Sequence, residues 1–216
     1  MIEIDVIIPS KTNDETAPML FYCMNTLRLA EDDIHFNIIV IESDREMPLG
    51  QNATIKFDLP KFNYNHALNQ GIAIAKNEWV ILANNDLLFT KNFMTEIINV
   101  NELHPEIKSF SPWNAMYSWH QRIFPTAEAI MEGYRIGHEM AGWCIVAKRS
   151  IFDTIALNES VEFWFSDNVY ADELQRHNIR HALVRDSIVN HLVSQTHSVT
   201  ESEAQDSYRK YLATLG

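Results

Sequence analysis

The chain has 216 residues, of which 46% are hydrophobic and 21% charged, and this composition predicts one globular domain with a full core. It carries 17 Lys and Arg against 29 Asp and Glu, and the resulting net charge of -12 disfavours nucleic acid and anionic membrane as general partners. No apolar run approaches the roughly 18 residues of a membrane span, and the first residues lack the pattern of a secretion signal. Two cysteines are too few for a disulfide framework, so we expect reduced, buried thiols and a cytoplasmic protein.

Short apolar runs alternate with helical patterns in the first part of the chain. Residues 3–9 predict a buried strand that ends at Pro-Ser, and residues 19–30 repeat apolar side chains at helical spacing. Residues 37–43 predict a second buried strand and residues 54–59 a short third one. Because strand–helix–strand order with continuously apolar strands is typical of parallel sheets, we expect such a sheet here.

A polar triplet lies inside hydrophobic sequence near the middle of the chain. A helix predicted over 63–75 precedes the apolar run 79–83, which reads as a buried strand. Asn84, Asn85 and Asp86 follow directly, and apolar residues then resume. A triplet enclosed in this way is expected at the end of a central strand, where open α/β sheets bind their ligands.

The second half of the chain is less regular. A helix over 92–103 and a strand over 107–113 precede residues 118–137, which we interpret as a long loop with at most one short helix. The remaining patterns predict a strand over 140–147, a short helix over 149–156, an amphipathic helix over 167–178, short strands over 180–186 and 187–191, and a last helix from the capping box Thr200-x-x-Glu203.

Two groups of residues have the chemistry of a metal site. Asp86 could hold Mg²⁺ or Mn²⁺, because these ions often take only one or two protein carboxylates and complete their shell with phosphate and water. His191 could supply a neutral nitrogen to the same metal, and the hydroxyls of Ser194 and Thr196 could bind phosphate oxygens. The alternatives are a capping role for Asp86 and a backbone-bonded loop position for His191.

Asp167 is the candidate general base. It lies at the predicted start of a helix, behind Trp164 and Phe165. The helix dipole would keep its carboxylate ionised, and an ionised carboxylate in a partly dry cleft can accept a proton from a hydroxyl. A plain N-cap is the alternative interpretation.

Further polar groups follow the first two predicted strands. Pro9 and Ser10 end the first strand, while Glu42 and Asp44 end the second. Polar groups at the carboxyl ends of parallel strands can hold a base and a ribose, although they can equally well cap the loops. Asn65 and Asn69 share one face of the helix predicted over 63–75.

As a whole, the chain resembles the GT-A fold glycosyltransferases, specifically family-2-like members, over about residues 3–197. The most specific stretch places Asn69-Gln70-Gly71 and Asn84-Asn85-Asp86 where that family has an Asn-x-Gly helix and a DxD-type metal motif. Further similar segments are VIIPS, IIVIESD, AGWCIVAKRSIF, FWFSDNVYADEL and NHLVSQT.

The sequence departs from the family pattern at two positions. Asn84 replaces the usual first Asp of the metal motif, so Asp86 carries most of the carboxylate role. Ser166 precedes Asp167 where many members have Glu-Asp, so the base assignment depends on Asp167 alone. Asp172 and Glu173, further along the same helix, are the substitute candidates.

The resemblance implies a single GT-A-like α/β domain over 1–216, with a mostly parallel central sheet flanked by helices and a small acceptor-side subregion. Residues 1–104 would be the half that binds the nucleotide-sugar, 105–197 the acceptor and catalytic half, and 198–216 a C-terminal helix.

The implied activity is metal-dependent, inverting transfer of a sugar from a nucleotide-sugar, with uridine as the expected nucleoside, to an acceptor hydroxyl. Asp86 and His191 would hold Mn²⁺ or Mg²⁺, and Asp167 would be the base. The expected donor contacts are Pro9, Ser10, Glu42, Asp44, Asn65, Asn69, Asn84, Asn85, Ser194 and Thr196, and the expected stacking residues for the substrate are Trp143, Trp164 and Phe165.

Three other functions are compatible with parts of the sequence. A nucleotidyltransferase usually has a Gly-rich basic loop after the first strand, whereas Lys11-Thr12-Asn13 has one Lys and no Gly. A non-catalytic carbohydrate- or nucleotide-binding protein is the second, favoured by Asn84 and Ser166. The third is a phage-type transferase acting on hydroxymethylated DNA bases, for which the positive residues are Arg176, His177, Arg180, His181 and Arg185.

Overall fold

The computed structural model describes residues 1–14, 16–43, 53–57, 61–116, 128–192 and 201–215, which form one mixed sheet with helices on both faces. The strands are β1 Ile2–Ser10, β2 Ile34–Glu42, β3 Ala53–Phe57, β4 Trp79–Ala83, β5 Leu87–Phe89, β6 Ile107–Trp113, β7 Ile130–Glu132, β8 Cys144–Lys148 and β9 Arg180–His191. The helices are α1 Ala17–Leu29, α2 Tyr64–Ile74, α3 Phe93–Leu103, α4 Ser166–Arg176 and α5 Glu201–Thr214, with a 3₁₀ helix over Arg149–Asp153.

The strand order is β3-β2-β1-β4-β8-β6-β9-β5, and β7 also pairs with β9. Strands β3, β2, β1 and β4 are mutually parallel, as the apolar strand patterns predicted. Beyond β4 the sheet is mixed, because β8 runs antiparallel between β4 and β6, and β5 and β7 run antiparallel to β9. The α/β class is therefore confirmed, while the second half of the sheet is less parallel than expected.

The segment at the end of the sheet differs from the prediction in its strands. The two strands predicted over 180–186 and 187–191 are the single strand β9, and the expected break is a register shift opposite Pro112 and Trp113. Part of the predicted loop 118–137 is strand β7, while residues 117–127 and Thr200 lie outside the described residues.

The strand predicted over 140–147 is shorter than expected. Only its C-terminal part is β8, and residues 141–143 instead form a turn. The carbonyl of Trp143 in this turn accepts a hydrogen bond from the backbone N–H of Asn84 at 2.9 Å, so the turn is fixed beside the end of β4.

The sheet buries an apolar layer on each face. Ile4, Val6 and Ile8 of β1 pack with α1 and α3, whereas Ile7 of the same strand packs with α2 and α4. Alternating side chains of one strand thus supply both layers. Helix α2 packs closely on the sheet at Gly71, because a Cβ there would lie 2.3 Å from Cγ2 of Ile7. Cys23 and Cys144 are free and buried, as predicted. None of the helices in the described ranges combines the length and apolar character that a membrane crossing requires.

Two buried acids have purely structural partners. Asp5 accepts hydrogen bonds from the backbone N–H groups of Lys76 and Asn77, at 2.6 and 2.7 Å, and from the Asn37 side chain at 2.6 Å. Glu31 accepts from the backbone N–H of Met94 at 2.7 Å and so supplies the cap that the first turn of α3 needs. Both carboxylates accept hydrogen bonds from nearby N–H groups, as buried acids normally do.

A buried relay of hydrogen bonds joins α4 to the sheet. Oη of Tyr170 lies 2.9 Å from Oγ of Ser109, this Oγ lies 2.8 Å from Nδ1 of His181, and Nε2 of His181 donates to the carbonyl of Glu139 at 3.1 Å. Because Nε2 carries the hydrogen, Nδ1 of the neutral imidazole accepts from Ser109, whose oxygen then accepts from Tyr170. Burial lowers the pKa of His181 from 6.5 to about 4, although its bond to the Glu139 carbonyl acts in the opposite direction.

We predict that this relay makes the protein sensitive to mild acid. The unfolded chain binds the His181 proton more tightly than the folded chain does, so the stabilising contribution is complete above pH 6.5 and is lost as the pH falls toward about 4. Since one pKa unit corresponds to about 1.4 kcal/mol, the free energy of unfolding should fall by about 3 kcal/mol across this window. Urea unfolding at several pH values measures it, and His181→Gln is the control that should have a shallower slope. Equal slopes for the two proteins would contradict the prediction.

Candidate functional site

Two adjoining clefts open where the parallel strands end. The larger cleft has a volume of about 660 Å³ and the smaller cleft about 220 Å³. Four residues line both clefts: Tyr64, Asn84, Phe163 and Trp164. The larger cleft is also bounded by Pro9 at the end of β1, and the smaller cleft by Asp86, Gly142, Trp143, Phe165, Ser166, Asp167 and His191. Side chains from distant parts of the sequence thus meet at one edge of the sheet, where ligands bind in open α/β folds.

Asp86 and His191 meet in the smaller cleft. Leu87 of β5 pairs with His191 of β9, and the backbone N–H of Leu192 donates to the carbonyl of Asp86 at 3.0 Å. This pairing places Oδ1 of Asp86 3.2 Å from Nε2 of His191. The His191 ring also stacks on Trp143, with centroids 5.5 Å apart and an interplanar angle of 18°.

The Asp86 carboxylate is only 3% exposed, yet its Oδ1 receives no hydrogen bond of acceptable geometry from the described residues. Asp5 and Glu31, by contrast, are bonded by several donors. A buried carboxylate oxygen without a donor is costly unless a cation is its partner. The residues therefore fit a divalent ion. Within the described ranges no group of three or more His, Cys, Asp or Glu side chains is clustered, so the remaining ligands would have to come from substrate and water.

Asp167 lies in the first turn of α4, on the other side of the smaller cleft. The chain enters this helix through Phe165, whose φ of 68° is left-handed, and Oδ1 of Asp167 accepts from the backbone N–H of Asn168 at 3.0 Å. Burial raises the pKa of the Asp167 carboxyl above its ordinary value, while hydrogen bonds from Asn168 and from its own backbone N–H oppose the rise. A carboxylate with a raised pKa is a stronger base than an exposed one.

Gly142 makes room for Asp167. A Cβ at Gly142 would lie 2.5 Å from Cβ and 2.8 Å from Oδ2 of Asp167, which no real side-chain contact allows. Gly142 lies within the strand predicted over 140–147, so the sequence does not mark it as a residue of the site.

For the sugar transfer that the sequence predicts, we expect Gly142→Ala to lower turnover about a hundredfold by displacing the Asp167 carboxylate, since a misplacement of about 1 Å can have an effect of that size. Donor affinity should change little, whereas the unfolding midpoint, followed by thermal unfolding, should fall because the added Cβ forces Asp167 or its own backbone to move. Steady-state kinetics together with donor titration measure both quantities. The double variant Gly142→Ala/Asp167→Asn should be no slower than Asp167→Asn alone, and full turnover in the single variant would contradict the prediction.

Aromatic side chains form much of the smaller cleft. Trp143, Trp164 and Phe165, the residues expected to stack on the substrate, all line it. Phe165 also stacks on Tyr211 of α5, with centroids 5.6 Å apart and an interplanar angle of 7°. Helix α5 therefore docks beside the site, and the hydroxyl of Tyr211 donates to Oδ2 of Asp172 at 2.8 Å.

The residues at the strand ends that are expected to contact the nucleotide have different hydrogen-bond partners. Nδ2 of Asn85 is 3.5 Å from Oγ of Ser10, and both side chains are buried at the end of β1 and β4. Glu42 is buried and accepts hydrogen bonds from the backbone N–H and the hydroxyl of Thr12, at 3.0 and 2.8 Å, so it holds the loop after β1. Asp44, Ser194 and Thr196 lie outside the described residues.

Asn65 and Asn69 face the segment 157–159. The amide of Asn65 donates to the carbonyl of Asn158 at 2.9 Å, and that of Asn69 donates to the carbonyl of Leu157 at 2.8 Å. Asn65 also borders a small cavity of about 10 Å³ that it shares with Asp167. These contacts connect α2 to the segment preceding α4, so both amides act here as supports of the site rather than as walls of either cleft.

The positive residues considered for DNA binding are paired with acids. Arg176 contacts Glu173, Arg180 contacts Glu132 and Glu106, and Arg185 contacts Asp186. His181 is buried in the relay described above. The patch is therefore locally balanced in charge and gives no support to binding of a phosphate backbone.

Several residues at the clefts were not identified from the sequence. Tyr64 donates to Oδ1 of Asn84 at 2.8 Å, and burial, with the nearby charge of Asp167, raises its pKa, so the phenol stays protonated. Lys61 and Lys210 both contact Glu162 at the larger cleft. No local pattern marks these residues, because each acquires its role from a contact with a distant segment.

Solved structures of low sequence identity share this architecture. One is the mannosyltransferase PcManGT from Pyrobaculum calidifontis in complex with GDP-Man and Mn²⁺, with a TM-score of 0.66 and 14% identity over 89% of this chain and 57% of that one. Another is GalNAc-T7 with UDP, GalNAc and Mn²⁺, with a TM-score of 0.68 and 12% identity over 98% of this chain and 48% of that one. The chain spans about half the length of these proteins. No protein-family model matches it, and no curated protein is significantly similar in sequence. The fold is that of the GT-A glycosyltransferases, as the sequence predicted.

Proposed function

We propose that the protein is a metal-dependent glycosyltransferase, similar to family-2 members, that moves a sugar from a nucleotide-sugar to an acceptor hydroxyl with inversion. One observation carries the proposal: the buried Asp86 oxygen without a donor faces His191 in the same small cleft as Asp167. Support comes from the GT-A fold and from the two neighbours, both of which are described with Mn²⁺ and a nucleotide.

Asp86 and His191 would hold a divalent ion in the smaller cleft. When bound, such an ion supplies charge neutralisation for the diphosphate of the departing nucleotide. The two protein groups fix its position, because the β5–β9 pairing holds Asp86 and the Trp143 ring holds the imidazole. The nucleotide itself would occupy the larger cleft between Pro9 and Asn85, and uridine remains the expected base from the family resemblance.

Asp167 would take the proton of the acceptor hydroxyl. Burial raises the pKa of its carboxyl, and Gly142 leaves space beside it, so its oxygen is both basic and accessible from the cleft. The hydroxyl oxygen then attacks the anomeric carbon opposite the leaving diphosphate. A single base without a protein nucleophile gives inversion. Trp143, Trp164 and Phe165 would hold the acceptor against their rings.

A thermal-shift screen of nucleotide-sugars with and without Mn²⁺ tests the proposal. A donor at about a hundred times its Kd should stabilise the fold by about 2.7 kcal/mol, and only in the presence of the metal. A stabilising donor is then incubated alone, and release of nucleoside diphosphate is measured. Stabilisation without any release, with or without candidate acceptors, would instead indicate a non-catalytic binding protein. If no nucleotide-sugar stabilises the protein, the proposal is wrong.

A further inference from the structure

Tyr64 stands at the junction of the two clefts and is held there rigidly. It lines the larger cleft, the smaller cleft and the small cavity behind Asp167. Its backbone N–H donates to the carbonyl of Glu162 at 2.6 Å, and its ring meets Phe163 edge-on, with centroids 5.8 Å apart. The side chain is 8% exposed, so the position of its hydroxyl is fixed by packing.

Asn84 is held at three of its four polar groups. Its backbone N–H donates to the carbonyl of Trp143 at 2.9 Å, and its carbonyl accepts from the Cys23 thiol at 3.6 Å. Its Oδ1 accepts from the Tyr64 hydroxyl at 2.8 Å. The amide nitrogen, Nδ2, is the remaining group, and it donates to no atom of the described residues. Because Asn84 lines both clefts, this N–H₂ group faces the space where a ligand would lie.

We propose that Tyr64 is a positioning residue: its hydroxyl fixes the Asn84 amide so that the N–H₂ group donates to an oxygen of the bound nucleotide-sugar. The inference rests on the function proposed above and adds to it the role of Tyr64 and the direction of the hydrogen bond between Asn84 and the nucleotide-sugar. At this point the site offers a hydrogen-bond donor and adds no negative charge next to Asp86. A diphosphate is strongly anionic, so a donor here can bind it directly, whereas a carboxylate here could contact it only through the metal ion.

Asn84→Asp separates this role from a structural one. The aspartate keeps an oxygen that can accept from Tyr64, but it presents a second oxygen to the ligand instead of N–H₂. We expect the affinity for the Mn²⁺ complex of the nucleoside diphosphate, measured by titration calorimetry, to fall about tenfold with an unchanged unfolding midpoint. If the Asn84 side chain coordinated the metal ion instead, Asn84→Asp would bind the complex more tightly, which is the opposite result.

Tyr64→Phe removes only the hydroxyl that orients the amide. It should raise KM for the donor about fivefold while kcat changes less, because the amide can still reach the ligand after reorienting. The double variant Tyr64→Phe/Asn84→Ala should bind no more weakly than Asn84→Ala alone, since both remove one interaction. Tyr134→Phe is the matched control: its hydroxyl donates to the carbonyl of Ile179, and it lines neither cleft.

Titration with two ligands identifies which part of the nucleotide-sugar carries the oxygen that accepts from Asn84. A loss of affinity that is already seen with the nucleoside diphosphate assigns the contact to the nucleotide part, and a loss seen only with the complete nucleotide-sugar assigns it to the sugar. The inference is overturned if Asn84→Asp binds as tightly as the wild type, or if Tyr64→Phe has no effect where Asn84→Ala weakens binding. If the wild type binds neither ligand, the proposed function fails and this inference with it. If the wild type binds and turns over, the variants test this inference alone.

Discussion

Asp167→Asn is expected to lower the turnover of sugar transfer about a thousandfold while the affinity for the donor is nearly unchanged. The asparagine has the same shape and can still accept the hydrogen bond from the backbone N–H of Asn168, so the first turn of α4 should persist. It has no basic oxygen, however, and cannot remove the proton of the acceptor hydroxyl. Steady-state kinetics and calorimetric donor titration measure the two effects separately.

The pH dependence of the proposed transfer by the wild-type protein provides a second readout of the same residue. A general base must be ionised, so turnover should rise as the pH increases through the pKa of Asp167. Because burial raises that pKa, the acid limb of the kcat profile should lie above the ordinary range of an exposed carboxyl group. Asp167→Asn should have no such limb in its residual rate.

Asp172→Asn is the matched control for this substitution. Asp172 lies on the same helix, and its Oδ2 accepts from the Tyr211 hydroxyl, which an asparagine oxygen can also do. Turnover should stay within a few-fold of the wild type. If Asp167→Asn lost donor affinity and turnover equally, its role would be structural, and if Asp172→Asn were the inactive variant, the base would be assigned to the wrong residue.

Asp86→Ala is expected to weaken donor binding about a hundredfold and to remove the dependence of that binding on Mn²⁺. A bound metal supplies several kcal/mol of charge stabilisation, and about 1.4 kcal/mol corresponds to a factor of ten. The substitution removes a buried oxygen whose only contact shown within the described residues is His191, at 3.2 Å, so the fold should lose less stability than in Asp5→Ala, which deprives two backbone N–H groups of their acceptor. Donor titrations with and without a chelator, and the unfolding midpoint, measure these effects.

Asp186→Ala is the control for the loss of a carboxylate near the site. Asp186 lies on β9, as His191 does, but it is exposed and paired with Arg185. Its donor affinity should equal that of the wild type. A wild-type enzyme that keeps full activity in a chelator would remove the metal from the proposal, whatever Asp86→Ala does.

The local sequence predicted the elements because each has a periodic signal of its own. Strand 107–113 was predicted with its observed bounds, and the apolar run 79–83 is strand β4. The secondary-structure predictions are wrong where contacts with distant segments override the local sequence pattern. The predicted strand 140–147 begins only at Cys144, after a turn at Gly142 where Asp167 leaves no room for a Cβ.

Residues with similar local signals have different roles in the folded protein. Asn65 and Asn69 share a helix face, as predicted, but their amides bind backbone up to 93 positions away in the chain. The arginines of the supposed basic patch are neutralised by acids, among them Glu106 and Glu132, that the sequence places elsewhere. No periodicity shows which partner a polar side chain will find, because partner choice depends on how the sheet orders its strands.

The sequence by itself determined the α/β class, the buried parallel strands at the N-terminal side and the candidate roles of Asp86, Asp167 and His191, since each depends on residue type and on neighbours within a few positions. Only the tertiary structure decided which of these residues meet. The β5–β9 pairing brings Asp86 next to His191, and the missing Cβ of Gly142 leaves space for Asp167. Tyr64 reaches Asn84 across 20 positions of sequence and fixes the side chain that departs from the family pattern. These contacts join segments distant in the chain, and their geometry is set by strand order and packing, which local sequence does not encode.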